Sequence, residues 1–318
     1  MKEYFLLYLK GMAMGAADVV PGVSGGTIAF ITGIYERLLK AIKSFDLVAL
    51  KLLLSFRFVE FVAHTDFKFL LSILLGVATS VLSLAKLFKF LLEHYPVLTM
   101  SFFFGLILAT VFVVGKQIKN WQALSIFNFV LGVSLAVMVA FLTPQGENAN
   151  VFYLFLCGTI AICSMILPGV SGSFVLLIMG NYFLVIGVIS NLSEQVKALD
   201  FAALYDSFLL LLPFALGAIV GLLSFSRVLS WLFERYKTGT LAVWTGFILG
   251  SLSIIYPWKE AITESRMIAG VEKTKIVNYS YYLPQIDTRF FIALAIMGLG
   301  VLVVLGIEYL GNKKDLAK

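Results

Sequence analysis

Apolar residues along this 318-residue chain are gathered into long blocks separated by short polar ones, and the lengths of the blocks set the first expectation. Six blocks, at 68–92, 97–116, 122–143, 207–233, 239–256 and 288–310, each supply the ~20 residues that a helix needs to cross a bilayer core. Four shorter apolar segments, at 3–18, 26–42, 151–167 and 173–190, lie in pairs around two Pro-Gly loops. Polar, amphipathic stretches at 44–66 and 192–206 follow each pair. The pattern predicts an all-α polytopic membrane protein.

The order of blocks is the same in both halves, and the residues repeat with it. Ala17 to Gly26 aligns with Ser164 to Ser173 at an offset of 147, which also matches Gly33 with Gly180 and Tyr35 with Tyr182. At an offset of 141, Gly76 meets Gly217, Lys86 meets Arg227, Glu93 meets Glu234 and Gly105 meets Gly246. A third stretch, around Gly132 and Gly298, follows at a larger offset, after a polar insertion at 257–287. Collinear blocks of this kind indicate duplication, with repeats at 1–147 and 148–318. Pro removes a backbone donor and clustered Gly relaxes the chain, so each loop breaks its helix. Broken backbone at membrane depth must be buried in protein or line a cavity. Each short pair is therefore expected to be a re-entrant hairpin, followed by three transmembrane helices. Three spans are an odd number, so the second half enters from the opposite face. Inverted repeats with interrupted helices at matching positions point to a transporter's binding site.

Composition agrees with this class and excludes a soluble one: 60% of residues are hydrophobic, 13% are charged, and the mean hydropathy is +0.98. Lys10 interrupts the first apolar run, so the N-terminus reads as structure and not as a signal peptide. The net charge of +6 comes without a basic stripe bearing interleaved aromatics, which argues against nucleic acid as a partner. Of the 24 Lys and Arg, 16 fall on the N-terminal side of the expected spans and 8 on the other, which puts both termini in the cytoplasm. Cys157 and Cys163 share one apolar segment and read as membrane-core residues. His64 and His94 have no ligand-spaced partners, so no metal and no cofactor is expected.

The chemistry lies in the loops. Pro21, Gly22, Val23, Ser24, Gly25, Gly26 and Thr27 open one helix, and Pro168, Gly169, Val170, Ser171, Gly172 and Ser173 open its repeat mate. The first N–H groups of a helix have no internal partners and carry about half a positive charge, which suits an anion such as phosphate. Two such ends meeting at the midplane would form one cradle, with Ser and Thr hydroxyls as added donors. The alternative for either loop is a kinked helix whose glycines allow close packing. Asp18, Glu36 and Arg37 occur only in the first half and are coupling or gating candidates. Asp18 reads as a proton carrier or as a cap of the following turn; Glu36 and Arg37 can equally be a solvated hairpin end. Lys86 and Arg227, matched across the repeat, either neutralise a phosphate or snorkel to the interface. Gly22 to Gly26 also fits the Gly-x-Ser-x-Gly of serine hydrolases. A helix precedes it where an elbow needs a strand, and Ser173 breaks the pattern in the second copy, so no enzyme is expected.

Through Gly15 to Thr27, Gly33 to Glu36, Phe103 to Ile107 and Ile166 to Ser173, the chain resembles the bacterial polyprenyl-phosphate translocase family PopT, long catalogued as a membrane domain of unknown function. The resemblance implies a flippase of the plasma membrane that returns undecaprenyl phosphate from the outer to the inner leaflet and recycles it for cell-wall synthesis. Its coupling ion would be a proton or sodium. The residues themselves also admit a secondary transporter or channel for a small soluble anion, which would lack a lipid-open groove leading to the loops. The insertion at 257–287 departs from the family pattern.

Overall fold

The computed structural model describes residues 2–19, 23–142, 145–268 and 271–315, with the side chains at 85, 86, 89, 190, 193, 194, 261, 263–278 and 310–315 outside the description. Pro21 and Gly22 therefore lie outside the described residues, as does the side chain of Lys86. The first half forms α1 (Lys2–Val19), α2 (Gly25–Ile31), α3 (Tyr35–Lys43), α4 (Leu47–Leu54), α5 (Phe58–His64), α6 (Phe67–His94), α7 (Pro96–Gly115) and α8 (Ala123–Ala140). The second forms α9 (Val151–Ile166), α10 (Gly172–Ile178), α11 (Tyr182–Ala198), α12 (Phe201–Arg235), α13 (Lys237–Ser251), β1 (Lys259–Ile268), β2 (Val271–Tyr281) and α14 (Thr288–Asp315).

Five of these helices, α6, α7, α8, α12 and α14, are long and apolar enough to cross a membrane, so the chain is a mostly helical, multi-pass membrane protein. Several expectations change in detail. The block at 239–256 is shorter as a helix, because α13 stops after 15 residues and finishes in tight turns through Ile255. The polar stretch at 192–206 is divided: α11 runs to Ala198, and α12 starts at Phe201, where the Asp200 carboxylate accepts from the Ala203 N–H at 3.0 Å. The segments at 26–42 and 173–190 are not single helices. Gly33 and Gly180 adopt φ of +71° and +81°, a backbone region that side-chain-bearing residues avoid, and the chain turns there; α10 and α11 make an angle of 116°. The all-α expectation fails at the insertion, where β1 and β2 pair as an antiparallel hairpin with Lys259 opposite Tyr281. That segment is rich in Thr, Ile, Val and Tyr and has no helix-length apolar stripe, which favours strands.

Between lipid-embedded helices, association depends on close packing rather than on burial from water. Here it is organised by four crossings that match between the halves. α1 lies along α6 and α9 along α12; α7 lies along α14 and α8 along α13. A Cβ on Gly11 would strike the backbone of Ile73, and one on Gly76 that of Tyr8. At the repeat positions, a Cβ on Gly158 would strike Phe214, and one on Gly217 that of Phe155. The same holds for Gly105 on Met297 and Gly300 on Phe102, set against Gly246 on Phe129 and Gly132 on Val243. Within the stretch around Gly298, it is Gly300 that lies on the face of α14 turned toward α7, while Gly298 faces open space.

The main core lies between the halves, where Trp244 of α13 is 2% exposed and makes edge contacts with Tyr35 and Phe30 at centroid distances of 5.0 and 5.8 Å. It fixes the first hairpin, through α2 and α3, against the second half.

Candidate functional site

α9 ends at Ile166 because Pro168 cannot continue it, which leaves the last carbonyls of the helix without intrahelical donors. The first hairpin supplies them. The Ser24 hydroxyl donates to the Leu167 carbonyl at 3.2 Å, and the Tyr35 hydroxyl to the Ile166 carbonyl at 3.0 Å. In return the Gly169 N–H donates to the Thr27 hydroxyl at 2.9 Å. Gly26 sits so close to the Ile166 carbonyl that a Cβ would approach its oxygen to 2.7 Å. The two loops are therefore one bonded unit, joined across 142 and 143 residues of chain. Ser24 and Thr27 are 1% and 0% exposed.

The N-termini of α2 and α10 differ. Ser24 caps α2 by accepting from the Gly26 N–H at 3.2 Å, and the Thr27 N–H donates to the Ser24 carbonyl at 3.0 Å. The Gly25 N–H donates to the carboxylate of Asp18, from the last turn of α1, at 2.7 Å. All three donors are occupied, one of them by the chain's own anion. In α10, Ser171 accepts only a long bond, 3.5 Å, from the Phe174 N–H, and its hydroxyl pairs with that of the exposed Ser173 at 2.9 Å. Asp18 corresponds to Met165, which accepts nothing, and the N–H groups of Gly172 and Ser173 find no partner among the described residues.

Beside the second loop is a half-open apolar cavity of about 360 Å³ between α8, α9, α10 and α13. Ala136, Val139, Phe174, Val175 and Phe247 line its walls; Ser164, Gly169 and Val170 bring the loop to its edge.

The remaining candidates lie elsewhere. Glu36 pairs with Lys237 at 3.0 Å, and Lys43 with Glu234 at 3.8 Å, which ties α3 to the junction of α12 and α13. The pair matching α3 and α12, namely α11 and α6, makes no comparable packing among the described residues. Arg37 binds Asp66 through two donors, at 2.6 and 3.1 Å, and Glu3 at 3.0 Å. Arg227 is not brought to the loops: its guanidinium donates to the carbonyls of Leu223 and Phe45 at 2.7 and 3.2 Å. Tyr35 is legible in the sequence only as a repeat mark, and its matching with Tyr182 is the signal available. Lys10 reads from sequence as a loop charge, yet its ammonium donates to the Thr32 carbonyl where α2 ends.

Comparison with known proteins gives a consistent result. Residues 14–273 match the VCA0040-like family, described as undecaprenyl phosphate translocase-like. A protein of Vibrio cholerae serotype O1, named polyprenyl-phosphate transporter, is 39% identical over 317 residues, covering 98% of each chain. A Staphylococcus aureus protein of the same name is 32% identical over 261 residues, covering 78% of this chain and 85% of its own. No solved structure matches the chain significantly.

Proposed function

We propose a transport function for this chain, which belongs to the VCA0040-like, undecaprenyl phosphate translocase-like family: it carries polyprenyl phosphate from the outer to the inner leaflet of the plasma membrane, with the phosphate bound between the two broken-helix loops. The observation that carries this reading is the bonding between loops, Ser24 to Leu167 and Gly169 to Thr27, which makes one unit from two halves. The matched glycine crossings support a pair of inverted repeats, each with a re-entrant hairpin. The charge bias supports a cytoplasmic location for both termini and, with them, for the two ion pairs of α3.

On this reading the structure stands closed toward the cytoplasm, where α3 packs on α12, and open at the second loop, which enters from outside. A phosphate arriving from the outer leaflet meets the N–H groups of Gly172 and Ser173, which have no partner among the described residues, and the hydroxyls of Ser171 and Ser173. Hydrogen bonds from these donors replace part of its hydration, which lowers the cost of taking a charged head to membrane depth. At the first loop the same phosphate competes with Asp18 for the Gly25 N–H. Exchange of one anion for the other couples substrate movement to the charge state of Asp18 and, through it, to a proton. Gly22 and Pro21 belong to the first half of the cradle by their place in the repeat. The apolar cavity at the second loop favours a lipid substrate over a soluble anion.

The test is flipping in proteoliposomes, with undecaprenyl phosphate compared with its diphosphate and with inorganic phosphate. Movement of the lipid monophosphate alone is expected. Efficient uptake of inorganic phosphate without lipid movement would overturn the reading in favour of a soluble-anion carrier.

A further inference from the structure

The cavity between α8, α9, α10 and α13 has wall positions with counterparts in the other half. Ala136 corresponds to Val304, Val175 to Ile28, Val170 to Val23 and Phe247 to Leu106. Those counterparts are 0%, 6%, 1% and 7% exposed, and α14 touches α2 on that side. In the second half the smaller Ala136 stands where the first half has Val304, and Val175 and Phe247 are only partly buried.

Its chemistry is divided in a particular way. The walls are aliphatic and aromatic, while the chain that supplies Phe174 and Val175 also supplies, immediately before them, the N–H groups of Gly172 and Ser173, which have no partner among the described residues. A ligand suited to both parts has an anionic head joined directly to an apolar chain. At roughly 30 Å³ for each water-sized group, 360 Å³ holds on the order of a dozen carbon atoms. That is two to three five-carbon isoprene units, far short of a full polyprenyl chain.

The geometry points to a tail site: this cavity binds the two or three isoprene units nearest the phosphate, and the protein reads the carrier's head and that short segment but not its total length. The inference rests on the proposed polyprenyl-phosphate substrate and adds where the chain is recognised and how much of it. The remaining units lie in the lipid and contribute the same free energy bound or unbound, so they cannot select.

The experiment uses the full chain in detergent and measures displacement of labelled undecaprenyl phosphate by dimethylallyl, geranyl and farnesyl phosphates and by unlabelled undecaprenyl phosphate, each at matched mole fraction in the micelle. Affinity is expected to rise at least tenfold from the one-unit to the three-unit compound and then change less than threefold up to the full chain. A steady rise through the whole series, or no rise at all, would overturn the tail site. Dodecyl phosphate should bind at least fivefold more weakly than farnesyl phosphate; equal binding would show a general alkyl-chain site and refute isoprenoid recognition. Ala136→Phe, which fills the cavity, should weaken farnesyl phosphate at least tenfold and leave dimethylallyl phosphate within twofold. The length series on the unaltered chain decides for or against the tail site even if that variant fails to fold. Farnesol separates the two proposals: if it competes as well as farnesyl phosphate while the length dependence holds, the tail site stands and the phosphate cradle falls.

Discussion

Replacing Thr27 by Val tests the bonded pair of loops with little else disturbed. The two side chains have nearly the same shape, and Thr27 is 0% exposed, so packing is preserved while one hydroxyl is lost. That hydroxyl accepts from the Gly169 N–H at 2.9 Å, and Gly169 lies against the backbone of Phe247 and Ile248, where a Cβ would approach to 2.7 Å. Valine offers no acceptor in its place, so the variant leaves the Gly169 N–H without its protein partner. Such a group costs about 1–3 kcal/mol. Where the bond holds the transport-competent arrangement against one in which the loops part, that cost corresponds to a fall of up to roughly 5- to 150-fold in transport. Ser24→Ala removes the second link, to Leu167, together with the cap of α2, for about 0.5–2 kcal/mol. Because both bonds join the same two loops, the double variant should be non-additive by about 0.5 kcal/mol or more. Thermal unfolding in detergent and flipping in proteoliposomes supply the two readouts. Thr27→Val with unchanged melting and unchanged flipping would refute a bonded two-loop unit.

Cysteines introduced at Asn148 and Leu316 should label from opposite faces of the membrane; labelling of both from one face contradicts the inverted arrangement. Asp18→Asn keeps the shape of the side chain that meets the Gly25 N–H but removes its titration, so the pH dependence of flipping should flatten while phosphate-lipid binding stays within about threefold. A pH profile parallel to that of the unaltered chain excludes Asp18 as the coupling group. Arg227→Gln should leave lipid-phosphate affinity unchanged, since the guanidinium is engaged by backbone carbonyls away from the loops; a tenfold loss would return it to the site.

Most of the spans and the place of the loops are legible in the sequence because block length and the Pro-Gly breaks report on them directly. Contacts with the partner half are not. Ser24 and Thr27 read as ligand donors, since nothing in the sequence says that a neighbouring helix will end at Ile166 with carbonyls needing hydroxyls. The turns at Gly33 and Gly180 are visible as matched glycines, but a glycine within an apolar run is equally compatible with a continuous helix, and only the positive φ decides. Gly298 and Gly300 cannot be told apart by sequence, because two residues turn a helical position by more than half a circle and the facing helix selects one. The contrast between Asp18 and Met165 is legible as a mismatch, and its meaning, one helix start occupied and the other without a partner among the described residues, requires the geometry.

The pairing of α7 with α14 and of α8 with α13 bears on how the chain is made. Gly105 meets Met297 and Gly132 meets Val243, so the last two helices of the first half are completed only by helices synthesised later. Elongation at ~5–20 residues per second puts roughly 10–40 s between the emergence of Gly105 and that of its partner. During that interval the grooves around Gly105 and Gly132 face lipid or an insertion factor, and the first half cannot reach its final form as an autonomous unit. Biogenesis must therefore keep an unfinished intermediate from pairing with a neighbouring chain, and a fragment ending near residue 147 should be retained by quality control unless its complement is made in the same membrane.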